Sequence, residues 1–299
     1  MERYRSLSGY LRERFGRKVY KLAIDGGFTC PNRDGTLGYG GCIFCSELGS
    51  GDFAAHGGDI RAQLEEAKAR VCAKAPPGCG YICYFQSYTS TYAPVERLRE
   101  LFYPAIEPED VAALSVGTRP DCVDEEKAAL LGEINRIKPV FVELGLQTSN
   151  ETTARLINRC YPNSAFTGSV ELLRREGVEV VVHVILGLPG ETEEDMLRTV
   201  DFACAHDIQG IKLQLLHVLR GTALAEMEYT PLEMEEYFRL VGLCLERIPP
   251  DVVIHRLTGD GDKRTLISPS WSADKRRVLN GLARYLSERD IVQGAALGG

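Results

Sequence analysis

Strand-like and helix-like segments alternate along this 299-residue chain, and the alternation limits the fold more than any other feature. Six runs rich in apolar and β-branched residues have the character of buried strands. They are YKLAIDG (20–26), YICYFQ (81–86), ALSVGT (113–118), VFVELGLQ (140–147), VEVVVHVILGLPG (178–190) and IKLQLLHVL (211–219). Helical patterns separate these runs, and such an order is typical of a parallel sheet covered by helices. The predicted fold class is therefore α/β, a partial (β/α)6 barrel of the TIM type.

The same pattern divides the chain into three predicted parts. Residues 1–20 form a basic N-terminal arm, and residues 21–220 form the partial barrel. Residues 221–299 form a C-terminal extension of helices and loops that packs on the barrel. A seventh apolar run, DVVIHRL (251–257), follows another helical pattern, and the sequence leaves open whether it is a barrel strand.

Composition and charge describe a folded protein with basic ends. The chain is 44% hydrophobic and 26% charged, and it shows neither a signal peptide nor an apolar run that could span a bilayer. We therefore expect a cytoplasmic protein with no membrane partner. Residues 1–21 carry seven Lys or Arg against two Asp or Glu, and residues 263–290 carry seven against three. These ends are either a docking surface for a phosphate backbone or an ordinary solvated surface.

The loop after the first predicted strand, CPNRDGTLGYGGCIFC (30–45), contains three cysteines. In a reducing cytoplasm, clustered cysteines indicate a metal or cluster site more often than disulfides. A closed zinc site needs four ligands, which this loop reaches only if His56 or Cys72 joins it. A [4Fe–4S] cluster held by three thiolates keeps one iron open for another ligand. In a β/α barrel this loop would lie at the end of the strands where active sites form.

The loop resembles the cluster motif of radical S-adenosylmethionine enzymes, although eleven residues separate Cys30 from Cys42 where three are usual. The longer form is similar to that of the YhcC-like branch, which is related to Elp3-type and oxygen-independent coproporphyrinogen oxidase-type enzymes. Further ordered matches are YFQSYTSTYAP, GTRPDC, ELGLQTSNETTARLINR, HVILGLPGET, LQLLHVLRGT and VIHRLTGDG.

The resemblance implies two cofactors, a [4Fe–4S] cluster and S-adenosylmethionine, and assigns residues to each. Cys30, Cys42 and Cys45 would bind three irons of the cluster. Phe44 would pack beside the adenine, and the Gln147–Arg159 pair would contact the ribose and carboxylate. The remaining predicted cofactor contacts are Gln86, Ser87, Tyr88 and Thr89 at the methionine amino group, and Gly117 and His183 where relatives carry acidic residues.

The resemblance also implies a reaction and partners. Radical enzymes of this kind cleave S-adenosylmethionine to a 5′-deoxyadenosyl radical and need a low-potential electron donor of the flavodoxin or ferredoxin type. The expected substrate is a tRNA, modified on the side chain of its wobble uridine, and no catalytic side chain is assigned. Two alternatives stay open, a small-molecule metabolite as substrate and a zinc-stabilised adaptor that binds nucleic acid without catalysis.

The cysteines outside the loop have competing interpretations. Cys72, Cys79 and Cys83 are either ligands of an auxiliary cluster or buried structural thiols, and the second is the more common case. Cys122 and Cys160 are expected near the barrel mouth, where each is either an ordinary core or surface residue or the carrier of a substrate radical or adduct.

Overall fold

The protein is built around a curled seven-stranded parallel sheet. The computed structural model describes residues 2–47, 49, 51, 54–55, 57–259 and 261–298. The strands of the sheet are β1 (Val19–Ile24), β2 (Gly80–Phe85), β3 (Val111–Thr118), β4 (Val140–Gln147), β5 (Glu179–Leu186), β6 (Gly210–Leu215) and β8 (Val253–Arg256), in that spatial order. Two short strands, β7 (Val218–Leu219) and β9 (Leu266–Ser268), form a separate antiparallel pair.

Helices alternate with the strands, as the sequence predicts. They are α1 (Leu7–Phe15), α2 (Ile60–Val71), α3 (Val95–Ile106), α4 (Glu125–Asn135), α5 (Glu151–Leu156), α6 (Asn163–Arg175), α7 (Glu193–Cys204), α8 (Met234–Arg247) and α9 (Lys275–Glu288). Local sequence sets several of their starts, because a capping side chain accepts a hydrogen bond from the first turn. Asp59, Asp124 and Thr192 do this for α2, α4 and α7. No helix in the described part of the chain is long and apolar enough to span a membrane.

The prediction of a partial barrel is confirmed, and the structure extends it by one strand. The DVVIHRL run contains β8, which pairs with β6 in parallel. Val253 and Ile254 of β8 are buried, which accounts for the apolar character of this run. The predicted C-terminal extension, residues 221–299, therefore contributes a strand to the sheet.

The concave side of the sheet is built in layers, because side chains alternate between its two faces along each strand. The layer nearest the amino ends is apolar and consists of Ile82, Ala113, Phe141 and Val181. Leu11 of α1 packs into this layer, so the helix closes the amino-terminal end of the barrel. Residues 7–15 of the predicted basic arm thus form a helix whose apolar face is buried.

The convex side of the sheet holds the main hydrophobic core. Leu114, Val142 and Val182 project outward from three central strands and are buried. They pack with helix residues of the same cluster, among them Leu98 and Phe102 of α3. Burial on this face explains why the strand sequences are nearly continuous in apolar residues, and it leaves the polar strand residues to the concave side.

Candidate active site

A cavity of about 390 Å³ opens at the carboxyl ends of the strands. Cys30, Cys42 and Cys45 line it together with residues from the strand ends. The predicted cluster loop therefore lies on the face of the barrel where the sequence placed it. Of the residues considered as a fourth zinc ligand, Cys72 does not line the cavity, and His56 lies outside the described residues.

Hydrogen bonds hold the long loop between Cys30 and Cys42 in place. Arg33 donates from Nη2 to the Cys45 carbonyl at 3.3 Å and also bonds the Ser46 carbonyl. Asn158 Nδ2 donates to the Gly41 carbonyl at 2.8 Å, which connects the loop to the segment after α5. Gly41 has φ of +82°, and a Cβ there would lie 2.8 Å from Arg33 Nε, so a larger residue would disturb this support.

The three thiols lie close enough to influence one another. The hydrogen bond between Cys42 and Cys45 raises the pKa of Cys42 and lowers the pKa of Cys45 to about 7. The charge of Cys30 also acts on Cys42. Nevertheless, no group of three or more His, Cys, Asp or Glu side chains within the described ranges is arranged to hold a single metal ion. Three thiols that line one cavity without such an arrangement suit a multi-iron cluster with one open iron better than one tetrahedral ion.

Most of the predicted cofactor residues also line the cavity. These are Phe44, Gln86, Tyr88, Thr89, Gly117, Gln147 and His183. Phe44 packs against a small apolar cluster that includes Ile185 and Leu216 near the cavity mouth. An apolar side chain in this position, beside polar strand ends, suits a ligand that combines an aromatic ring with hydrogen-bonding groups.

Gln147 carries the clearest sign that a polar ligand belongs in the cavity. It ends β4 in a left-handed conformation, with φ of +66°, which is unusual for a residue other than glycine. Its Oε1 is buried and has no hydrogen-bond partner among the described residues. Since buried acceptors are rarely left unpaired, a donor such as a ribose hydroxyl fits this position.

Arg159 is a correction to the predicted site, because it does not line the cavity. The residue is fully buried, and its guanidinium bonds the backbone carbonyls of Leu146, Thr148 and Tyr161 at 2.6–3.0 Å. A further N–H donates to Asn163 Oδ1 at 3.0 Å. With its donors used in this way, Arg159 supports the end of β4 from outside the cavity lining.

Ser87 is the second predicted contact that does not line the cavity. It is buried, and its Oγ has no partner in the described part of the chain. Its neighbour Tyr88, with φ of +56°, is partly buried and donates from its hydroxyl to the Glu47 carbonyl at 2.5 Å. The segment 86–89 therefore contacts the cavity through Gln86, Tyr88 and Thr89 only.

Several polar and aromatic residues that line the cavity were not assigned to the site from sequence. They are Arg33, Tyr84, Arg119, Glu143, Tyr161, Lys212, Gln214 and Arg256. Arg119 stacks on the Tyr161 ring at 4.7 Å from its centroid and pairs with Asp121 at 2.7 Å, which fixes it beside the cysteines. One feature of the sequence could have indicated some of these residues, namely a charged residue within an otherwise apolar strand, such as Glu143 in VFVELGLQ.

Glu143 is the centre of a buried polar cluster on the floor of the cavity. Its carboxylate accepts hydrogen bonds from Ser115 Oγ at 2.9 Å and His183 Nε2 at 2.8 Å, and it forms ion pairs with Lys21 and Lys212. Burial alone would raise the pKa of Glu143, but the two lysines outweigh burial and hold this pKa well below its usual range. Glu143 is therefore ionised.

His183 lies in this cluster, where the sequence predicted a cofactor contact. Burial and the charge of Lys212 lower the pKa of His183 to about 4, although Glu143 opposes the shift. His183 is therefore neutral near pH 7 and donates its Nε2 proton to Glu143. It can present only its remaining ring edge to a ligand.

The cysteines outside the loop do not line the cavity. Cys79 and Cys83 are buried, and burial raises the pKa of Cys83, as expected for a structural thiol. Cys72 is exposed, so the interpretation as a buried thiol is wrong for this residue. Cys122 is buried, whereas Cys160 is exposed and donates from Sγ to Asn158 Oδ1 at 3.2 Å.

Two family models match the chain. The model of the Radical SAM superfamily matches residues 30–203, which begin at the first cysteine of the loop. The model of the Radical_SAM C-terminal domain matches residues 208–288. Together these matches extend from the cysteine loop through α9.

Proteins similar along nearly their whole length include YtqA and YhcC. YtqA of Bacillus subtilis is 44% identical over 300 residues, which cover 98% of this chain and 92% of YtqA. YhcC of Escherichia coli is 38% identical over 295 residues, covering 97% of this chain and 94% of YhcC. The predicted resemblance to the YhcC-like branch is confirmed.

More distant similarities concern part of the sequence or the fold. The tRNA uridine(34) acetyltransferase of Methanocaldococcus jannaschii is 26% identical over 155 residues, which cover 50% of this chain and 28% of that protein. The solved structure of Elp3 from Methanocaldococcus infernus superposes with a TM-score of 0.69 at 17% identity. It covers 92% of this chain and 64% of that chain, and at this identity the likeness shows the fold.

Proposed function

Because the chain belongs to the Radical SAM superfamily, we propose that it is an enzyme that modifies the side chain of a tRNA wobble uridine. Membership of the superfamily implies a [4Fe–4S] cluster and S-adenosylmethionine as cofactors. The observation that carries the cofactor part of the proposal is that Cys30, Cys42 and Cys45 line one cavity at the carboxyl ends of the barrel strands. If these three thiolates held a [4Fe–4S] cluster, its fourth iron would be open to another ligand.

When bound, the two cofactors supply radical chemistry, in which a 5′-deoxyadenosyl radical abstracts hydrogen from an unactivated carbon. Cys30, Cys42 and Cys45 would hold the cluster. Phe44 would pack against the adenine, and Gln147 Oε1 would accept a hydrogen bond from a ribose hydroxyl, which supplies its missing donor. Arg33 and Asn158 would keep the loop in position, because their side chains bond its backbone carbonyls.

Two observations support a tRNA as the substrate. The first is the partial similarity to a protein named tRNA uridine(34) acetyltransferase. The second is α9, which exposes Lys275, Arg276 and Arg277 at its start. Ser272, just before α9, hydrogen-bonds His217 at the cavity at 3.0 Å, so these cations lie near the cavity mouth. They support phosphate binding better than residues 7–15, which pack at the opposite end of the barrel.

Enzymes of this superfamily need a reductant, and we propose that a flavodoxin or ferredoxin supplies the electron. Such a donor would have to approach the cluster from the side of its loop. Tyr39 is 80% exposed and Leu37 is 52% exposed, so the tip of this loop offers apolar surface next to the cysteine positions.

Anaerobic reconstitution tests the cofactor part of the proposal. We expect about four irons per chain and brown colour in the wild type, and loss of both in Cys30→Ala, Cys42→Ala and Cys45→Ala. Cys72→Ala is the matched control, because Cys72 is exposed outside the cavity and should leave the iron content unchanged. A colourless wild-type protein with one zinc would overturn the proposal, as would a reduced cluster protein that forms no 5′-deoxyadenosine.

Nucleoside analysis of a deletion strain tests the substrate. We expect the content of one modified wobble uridine to change, and the wild-type gene but not the Cys42→Ala gene to restore it. In low-salt gel shifts, Arg276→Gln with Arg277→Gln should weaken tRNA binding by roughly tenfold. Arg12→Gln on α1 is the control and should have no such effect. Unchanged uridines together with absent tRNA binding would exclude a tRNA substrate and favour a small metabolite.

A further inference from the structure

Three residues with basic side chains lie next to one another on adjacent strands at the floor of the cavity. Lys212 on β6 is the register partner of His183 on β5 and of Arg256 on β8, so their Cα atoms are neighbours across adjacent strands. All three residues line the cavity. We call His183, Lys212 and Arg256 the basic row, and neither the cluster nor the adenosylmethionine contacts proposed above require Lys212 or Arg256.

The charges of the polar cluster beneath the cavity do not balance. Glu143 is the only carboxylate among the described residues that line the cavity, and it pairs with two lysines, Lys21 and Lys212. His183 is neutral, so Lys21 and Lys212, when both are charged, share the single negative charge of Glu143. Lys212 is buried, with 6% of its side chain exposed, and an uncompensated buried charge is costly.

Glu143 cannot neutralise this surplus by further contacts, because its acceptor positions are filled. One carboxylate oxygen accepts from Lys21 and Ser115, and the other accepts from Lys212 and His183. The bond to Glu143 uses one of the three N–H groups of Lys212. The other donors of Lys212 are available toward the cavity that it lines.

The electrostatics of Lys212 agree with a shortage of negative charge. Burial, together with the charges of Lys21 and Arg256, lowers the pKa of Lys212 to about 7, in spite of the opposing effect of Glu143. Without a ligand, the cluster is balanced when Lys212 gives up its proton. An anion in the cavity that Lys212 lines would instead favour the charged form of this lysine.

We propose that Lys212 and Arg256 form a subsite that binds an anionic group of the substrate, either a carboxylate or a phosphate. An ammonium and a guanidinium on neighbouring strands can both donate charge-assisted hydrogen bonds to one such group. Glu143 and Lys21 position Lys212 from below. That the bound anion belongs to the substrate rests on the proposed function. Anion binding itself does not, since it can be measured without the reaction.

The test measures anion-dependent stability of the reconstituted protein without S-adenosylmethionine. Thermal unfolding is followed in sodium acetate, sodium phosphate and sodium chloride at equal ionic strength, so that the acetate and phosphate arms separate the two possible sources. We expect one of these two anions to raise the unfolding temperature above the chloride value. Lys212→Met and Arg256→Met should each require at least tenfold more anion for the same shift.

Two further variants make the test independent of folding defects. Glu143→Gln removes the negative charge and should make the anion response stronger, with half-saturation at a several-fold lower concentration. Arg97→Met, an exposed cation on α3 outside the cavity, should respond like the wild type. Lys212→Met removes the surplus charge, so we expect it to be at least as stable as the wild type in chloride.

Several outcomes would overturn the subsite. One is that neither acetate nor phosphate stabilises the wild type more than chloride, and another is that the anion response survives in both Met variants. Equilibrium dialysis with S-adenosylmethionine adds a third. If Lys212→Met lowers cofactor affinity as strongly as the anion response, the charge serves the carboxylate of the cofactor. Failure of the wild type to form 5′-deoxyadenosine would instead refute the proposed function and leave the anion result intact.

Discussion

The two ends of the barrel interior are chemically opposite although the same strands build both. At the amino-terminal end, Ile82, Ala113, Phe141 and Val181 pack around Leu11 and form an apolar seal. Two residues further along these strands the inward side chains are polar, namely Tyr84, Ser115, Glu143 and His183. The five residues of the seal have apolar side chains, whereas the polar layer contains several groups that bond one another.

Because of this difference, one end of the barrel contributes mainly to stability and the other end contributes the groups that can bind a ligand. The sealed end stabilises the fold through apolar burial, to which Leu11 of α1 contributes. The polar layer lies under the cavity and sets its charge. Substitutions at the two ends should therefore have separable effects, and four predictions follow that comparison.

The largest effect is expected at the centre of the polar layer. Glu143→Leu would leave Lys21 and Lys212 without their shared carboxylate, so the free energy of unfolding should fall by about 3–5 kcal/mol. Urea denaturation measures this change. Adding Lys212→Met should restore part of the lost stability, because it removes one of the stranded charges. Equal stability of the single and double variants would show that the two residues do not interact.

At the sealed end, Phe141→Ala should lower the free energy of unfolding by about 3 kcal/mol, because it leaves a void beneath Leu11. The cavity lies at the other end of the barrel, so affinity for S-adenosylmethionine should stay within about twofold of the wild type. A large loss of affinity in protein that is still folded would show that the two ends are coupled.

The pH dependence of stability should reveal the ionisation of Glu191, a partly buried residue just before α7. Burial raises the pKa of Glu191 from 4.5 to about 7, and its Oε2 has no partner among the described residues. The folded state therefore binds the proton more tightly than the unfolded state. The resulting stabilisation is complete below pH 4.5 and is lost as the pH rises through 7.

Glu191→Gln tests this assignment, because the amide cannot ionise. The variant should be about 1–2 kcal/mol more stable than the wild type at pH 8 and similar to it at pH 5. Denaturation curves at both values measure the difference. A difference that did not change with pH would exclude titration of Glu191 as its cause.

The smallest effect is expected at Gln147, where backbone conformation and ligand binding can be separated. Gln147→Gly should be about 1 kcal/mol more stable than Gln147→Ala, because only glycine adopts the left-handed conformation without strain. Both variants lose the amide, so both should bind S-adenosylmethionine more weakly to the same degree. Unchanged cofactor affinity in both would remove Gln147 from the proposed site.

The fold and the position of the cysteine loop could be predicted from the sequence, because both depend on local sequence pattern. Alternating strands and helices predicted the sheet, and the cysteine loop predicted its place at the carboxyl ends of the strands. Arg159 could not be placed in this way. Its guanidinium satisfies backbone carbonyls at the end of β4, and nothing in the sequence distinguishes that use from contact with a ligand. Whether a polar side chain can bind a ligand depends on its partners in the folded protein, which are distant in sequence.

By itself, the sequence determined the β/α order and the family, since each of these depends on local pattern. Only the tertiary structure decided which polar residues share the cavity floor. Lys21, Glu143 and Lys212 lie on three strands that are far apart in sequence, and sheet register brings their charges together. The net charge of this cluster depends on all the side chains that surround it, and only the folded barrel brings those side chains together.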